Sequence, residues 1–121
     1  MTRDEILTMP AGREMDALIG DFVLVLTVDP TRCPYCAGDL WQGKDRSRCT
    51  NCSRWLYSPY KQYSDEIESA WEVIEKFRDD SVEVVLSGRH VQWECIVGID
   101  SAYAKTAPLA ICRAALLTKV D

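Results

Sequence analysis

The sequence is short of most of what marks an enzyme or a membrane protein. It has a single histidine, His90, with no cysteine or serine at a spacing that would make it a catalytic base. It also lacks a glycine-rich phosphate loop, a Ser-His-Asp order and a His-Glu-x-x-His helix, so the sequence supports no enzymatic activity. The longest apolar run, Phe22 to Leu26, is far below a membrane span. The opening Met1-Thr2-Arg3-Asp4-Glu5 lacks the basic start and apolar stretch of a secretory leader, which leads to the expectation of a cytoplasmic protein. The chain has 121 residues, 47 % hydrophobic and 27 % charged, which fits one soluble globular domain. A formal net charge of −5 excludes indiscriminate coating of nucleic acid, which needs an excess of Lys and Arg facing phosphates.

Cysteine, by contrast, is plentiful, with six in the chain. In a reducing compartment that number points to metal binding or free thiols rather than disulfides. Cys33-Pro34-Tyr35-Cys36 and Cys49-Thr50-Asn51-Cys52 are two C-x-x-C knuckles, each able to grip a metal from one turn. Four thiolates suit tetrahedral Zn²⁺, and a site filled by protein ligands is structural because no position is left for water or substrate. One Zn²⁺ per chain on Cys33, Cys36, Cys49 and Cys52 is the expectation, with an iron centre on the same sulfurs as the alternative. Cys95 and Cys112 fall on apolar faces and read as core residues.

Charge is uneven along the chain. Residues 31–61 hold six bases against two acids, a formal +4, which leaves −9 for the rest of a chain whose total is −5. Four thiolates with one Zn²⁺ would lower the segment to about +2. Five aromatics, Tyr35, Trp41, Trp55, Tyr57 and Tyr60, lie among these bases, more than so small a module easily buries. Trp41, Arg46, Arg48, Arg54, Trp55 and Tyr57 are therefore the candidate partner surface, because aromatics beside arginine serve as protein anchors or stack on bases.

Outside this segment the pattern is α+β. Thr2 and Glu5 have capping-box spacing, and Met15, Leu18 and Ile19 suggest a short helix ending at Gly20. Phe22 to Val28 reads as a buried strand stopped by Asp29-Pro30. Ser64 is placed to cap a helix to about Arg78, with Ile67, Ala70, Trp71, Ile74 and Phe77 on its apolar face and Glu68, Glu72, Glu75 and Lys76 toward water. Val82 to Leu86 and His90 to Val97 read as a hairpin turning at Ser87-Gly88, with Val91, Trp93, Cys95 and Val97 inward. Pro108 opens an Ala-rich helix to about Leu117.

Three blocks carry a resemblance: Met1 to Leu18, then Tyr63-Ser64-Asp65 with Ala70-Trp71-Glu72-Val73-Ile74-Glu75-Lys76, and finally Thr106 to Leu117. Together they resemble the phage ABA-sandwich domain family. That resemblance implies one domain over residues 1–121 with an antiparallel sheet sandwiched between helices, and the departure from it is residues 31–61, which read from their own cysteine spacing as an inserted four-cysteine zinc ribbon. It implies a phage or prophage setting but no activity. A knuckle followed by Ala70-Trp71 is also similar to the restriction-alleviation zinc proteins of phages. The expected function is a non-enzymatic accessory protein binding a host macromolecule, a host protein first, to inhibit a host defence system. The alternatives are a nucleic-acid-binding ribbon and a pocket that sequesters a small nucleotide signal.

Overall fold

The computed structural model describes residues 1–120. Along the chain lie α1 (Arg3–Thr8), α2 (Arg13–Leu18), a π-helical turn (Ile19–Val23), β1 (Leu40–Gln42), β2 (Ser47–Cys49), β3 (Trp55–Leu56), α3 (Ile67–Asp79), β4 (Val84–Arg89), β5 (Gln92–Val97), β6 (Asp100–Ala104) and α4 (Ala107–Leu117). The class is α+β, with two antiparallel three-stranded sheets ordered β1-β2-β3 and β4-β5-β6. The chain divides into two compact units. The larger takes Met1–Val25 and the residues from Gln62 onward, and the smaller is Leu26–Lys61.

In the larger unit α4 is the central element. Pro108 sits in its first turn, and Ala110, Ile111, Cys112, Ala114, Ala115, Leu116 and Leu117 are all buried. β5 and β6 pack on one side of it, and α1, the π turn and α3 on others. Alanines let these elements approach closely, while Ile111 and Leu117 fill the space between them. Cys95, Val97, Ala102 and Ala104 form the sheet's buried face, whereas Val85 and Tyr103 on the opposite face are exposed. The single polar residue that ties α4 outward is Arg113. Its guanidinium donates to the carbonyl of Met9 at 2.9 and 3.2 Å and to that of Tyr103 at 2.8 Å.

The N-terminal cap is as expected, with Thr2 Oγ1 accepting from the Glu5 amide at 3.2 Å. The strand expected at Phe22–Val28 does not form. Met15, Ile19 and Val23 recur every four residues and are buried, so the start of the run continues the helix as a π turn, closed by Leu24 N–H to Ile19 C=O at 3.0 Å. An apolar run without period two does not by itself distinguish strand from helix, and packing on α4 decided it. Phe22, Val25 and Leu26 are left exposed.

The helix expected from Ser64 begins instead at Ile67, with Glu66 at the cap position. Ser64 is fully buried, and it clamps α2. Its amide and hydroxyl donate to Asp16 Oδ1 at 2.8 and 2.7 Å, and its Oγ accepts from the Gly12 amide at 3.0 Å. On α3, Ser69, Ala70, Val73, Ile74 and Phe77 are buried, but Ile67 and Trp71, expected to be inward, are exposed. Trp71 is about 100° round the helix from Ala70, beyond the buried stripe. Lys76 reaches Asp80 at 3.5 Å.

The hairpin turn is also displaced from Ser87-Gly88, which lies within β4, to His90-Val91. Gly88 pairs with Trp93, and a Cβ there would meet the indole at 3.0 Å, so this glycine serves the ring's close approach rather than a turn. Val91, expected inward, is in the turn and exposed, and Trp93, two residues on at the turn end of β5, is exposed as well. A third strand, β6, follows Gly98, whose φ of +62° makes the next tight turn.

Candidate metal centre

Residues 26–61 carry little apolar core. The buried cluster is Cys33, Cys49 and Leu56, with Tyr35 and Leu40 packed against it. So small a core does not by itself order a module of this size, which gives the cysteines their structural importance.

The two knuckles have the same backbone closure. Cys33 N–H donates to Gly38 C=O at 2.9 Å and Cys49 N–H to Arg54 C=O at 2.9 Å. Likewise Ala37 N–H reaches Cys33 C=O at 2.8 Å and Ser53 N–H reaches Cys49 C=O at 3.0 Å. Ala37 and Ser53 each adopt φ of +63°, the left-handed bend that turns the chain back after the second cysteine. The sulfurs receive matching amides: Tyr35 N–H to Cys33 Sγ at 3.4 Å, and Asn51 N–H to Cys49 Sγ at 3.4 Å. Two such turns facing each other bring all four Sγ atoms within 4.8 Å of one another.

The geometry and chemistry fit a metal ion. Cys33 Sγ lies 3.8 Å from Cys52 Sγ, and Cys36 Sγ 3.4 Å from Cys49 Sγ. A tetrahedron with Zn–S bonds of about 2.3 Å has edges of about 3.8 Å. The electrostatics ask for a cation. Asn51's side-chain amide, the Gly38 amide and the Cys49 thiol bring the Cys36 thiol down to about 6. Cys52 has the Arg54 amide favouring its thiolate, but desolvation and the neighbouring sulfurs outweigh it and push the thiol up to about 11. Cys36 therefore ionises readily while Cys52 holds its proton, and a positive charge among the sulfurs would favour the thiolate of Cys52 as well. Gly38 completes the cradle. A Cβ on it would stand 2.8 Å from Asn51 Cβ and 3.1 Å from Cys49 Sγ.

The remaining cysteines are separate from this cluster. Cys95 and Cys112 are fully buried, and burial pushes both thiols up, to about 12 for Cys95. His90 is exposed in the hairpin turn, and Glu68 and Glu75 face solvent on α3.

The candidate contact residues do not all meet. Trp41 pairs with Arg48 and Arg48 with Trp55 across β1-β2-β3, which places the three in one row. The indoles of Trp41 and Trp55 are 6.3 Å apart at 85°, and the Arg46 guanidinium lies 3.9 Å over Trp55 and 3.5 Å from Tyr57 Oη. Arg48 is 5.5 Å from the same ring. Trp41, Trp55 and Tyr57 are 57 %, 37 % and 54 % exposed. Arg54 is elsewhere, 3.8 Å over Tyr35, with Lys61 at 5.7 Å from that ring. Sequence reasoning missed Asn51 and Gly38 as parts of the metal cradle. Their position beside the knuckles was the available signal.

The elements define a class, a small α+β protein carrying a four-cysteine knuckle module. The chain belongs to the Phage ABA sandwich domain family, whose profile matches residues 25–116. Of the three blocks of resemblance, the central and closing ones lie in or across that span, and Met1 to Leu18 lies outside it. A crystal structure of a phage protein from Bacillus cereus ATCC 14579 shares the fold, with a TM-score of 0.53, 23 % identity and 94 % of each chain covered. No curated protein matches the chain. Among the described residues no helix is long and apolar enough to cross a membrane.

Proposed function

We propose that Cys33, Cys36, Cys49 and Cys52 hold one structural Zn²⁺, and that the ribbon so ordered is the contact surface of a non-enzymatic phage accessory protein acting on a host macromolecule inside the host cell. The observation that carries this reading is the convergence of four sulfurs within 4.8 Å from two turns of identical closure. Four protein sulfurs would fill a tetrahedral ion, so the metal would brace the fold and have no open position for chemistry. The ion would hold the hairpin that presents Trp41, Arg48 and Trp55. Inhibition of a host defence system is the role we assign to that contact, in keeping with the phage family.

Elemental analysis after purification under reducing conditions should give one zinc per chain. Substoichiometric metal, or a Cys49→Ser variant that keeps its zinc, would sink the centre. The contact surface is tested by passing host extract over wild-type protein and an R46E/R48E variant. Retention of the same host component by both would show that the surface lies elsewhere.

A further inference from the structure

The geometry points to single-stranded nucleic acid as what the Trp41–Arg48–Trp55 cleft takes, with a base on the Trp41 indole and phosphates on Arg48 and on Arg46, which stacks on Trp55. This rests on the ribbon being a contact surface and names the class of its partner. The cleft measures about 510 Å³ and is lined by Trp41, Arg48, Cys49, Thr50, Ser53 and Trp55. That is within the size of small-ligand sites and holds both of the groups a nucleotide needs, a π surface and a cation, with two hydroxyls beside them.

Charge complementarity selects an anion. Among the described residues Lys44, Arg46 and Arg48 have no carboxylate partner, whereas Arg32 on the same ribbon is paired with Asp39. Asp45, in the same turn as Lys44 and Arg46, makes no ion pair with them. Arg46 rests its guanidinium on Trp55 and donates one N–H to Tyr57 Oη at 3.5 Å, which holds the group in place and leaves its other N–H groups for a phosphate.

The arrangement of the rings selects a single strand. Trp41 and Trp55 stand at 85° and so present planes in different directions. Arg46 already lies over Trp55, so the more exposed Trp41 is the stacking platform, and an unpaired base can swing onto it while a base inside a stacked duplex cannot. The few cations and the net charge of −5 confine the contact to a short segment. With two phosphates engaged, on Arg46 and Arg48, log affinity should fall against log salt with a slope of about −1.4.

The test uses the full-length, metal-loaded protein with fluorescent oligothymidylate and oligouridylate at low salt. Zinc content is measured first, because its absence would overturn the metal reading rather than this one. Saturable binding is expected, with quenched tryptophan fluorescence and the shallow salt slope above. R46E/R48E should lose about tenfold or more in affinity at unchanged zinc content. If the double reversal loses its metal, R48Q and W41A decide by the same criterion. No binding by zinc-loaded wild type overturns the proposal, as does equal affinity of the variants. So does a duplex or thymidine monophosphate bound as tightly as the oligomer. Polyglutamate bound as tightly would assign the cleft to an acidic protein segment instead.

Discussion

The two units solve the same problem by different means. In the larger one, order comes from apolar burial around α4, where Ile111, Leu116 and Leu117 meet the sheet and the other helices. In Leu26–Lys61 the buried cluster is Cys33, Cys49 and Leu56, and order comes from local turn geometry that aims sulfurs at one point. Packing is nonlocal and tolerant of chemistry as long as volume is kept. A knuckle is local, and its success depends on a few atoms at fixed offsets.

The largest expected effect separates the units by metal. Chelation, or Cys49→Ser, should unfold the ribbon, since structural zinc in small modules contributes on the order of 10 kcal/mol of folding free energy. Helical circular dichroism from α3 and α4 should persist. Cooperative loss of both signals would show that the units are not separable in stability. The converse experiment acts on packing. Ile111→Ala should cost the larger unit about 2–5 kcal/mol, because the side chain is 1 % exposed and its removal leaves a cavity. Zinc stoichiometry should not change, and a denaturant melt beside metal analysis decides.

A finer test lies inside the ribbon. Gly38→Ala should weaken metal affinity and destabilise the ribbon by about 1–3 kcal/mol, because the new methyl meets the Asn51 Cβ at 2.8 Å. Competition with a chromophoric chelator measures it. Arg54 occupies the equivalent place in the second knuckle, so symmetry of backbone does not imply symmetry of side-chain demand.

What could be read in advance follows the same division. Cysteine spacing placed both knuckles, since an i to i+3 pair on a turn needs no distant information. The cleft was legible only as a set of residues. Its row depends on the register Trp41↔Arg48↔Trp55 in strands too short to show a period, and that register separates Arg54 from the rest. In the larger unit α4 and most of α3's buried stripe were visible through Pro108 and helical spacing. β6 was not, because Asp100, Ser101, Ala102 and Ala104 are weak strand formers that pair only because β5 is beside them. Gly88 was misread because a glycine beneath an indole and a glycine in a turn are the same letter.

The smallest effect concerns the clamp that no local pattern could reveal, Asp16 with Ser64 across 48 residues. Burial raises the carboxyl above its ordinary value. The hydroxyl and amide of Ser64 oppose the rise, and Asp65 and Glu66 add to it by repulsion. A folded pKa above the unfolded one means that the folded state holds this proton more tightly. The contribution to stability is then fully present below the unfolded pKa and is lost as pH rises through the folded pKa, with no further change above it. Asp16→Asn keeps a carbonyl oxygen to accept both Ser64 donors and removes the charge. It should flatten this part of the pH dependence and leave stability at neutral pH within about 1 kcal/mol of wild type or slightly above it. Asp16→Ala strands the buried donors and should cost about 1–3 kcal/mol. Because acid also protonates the thiolates and would release metal from the ribbon, the melts must follow helical signal from the larger unit. The difference between wild type and Asp16→Asn, taken at each pH, isolates the group. A difference that does not vary across the acidic range would mean that the clamp keeps its carboxylate ionised as readily in the fold as in the unfolded chain.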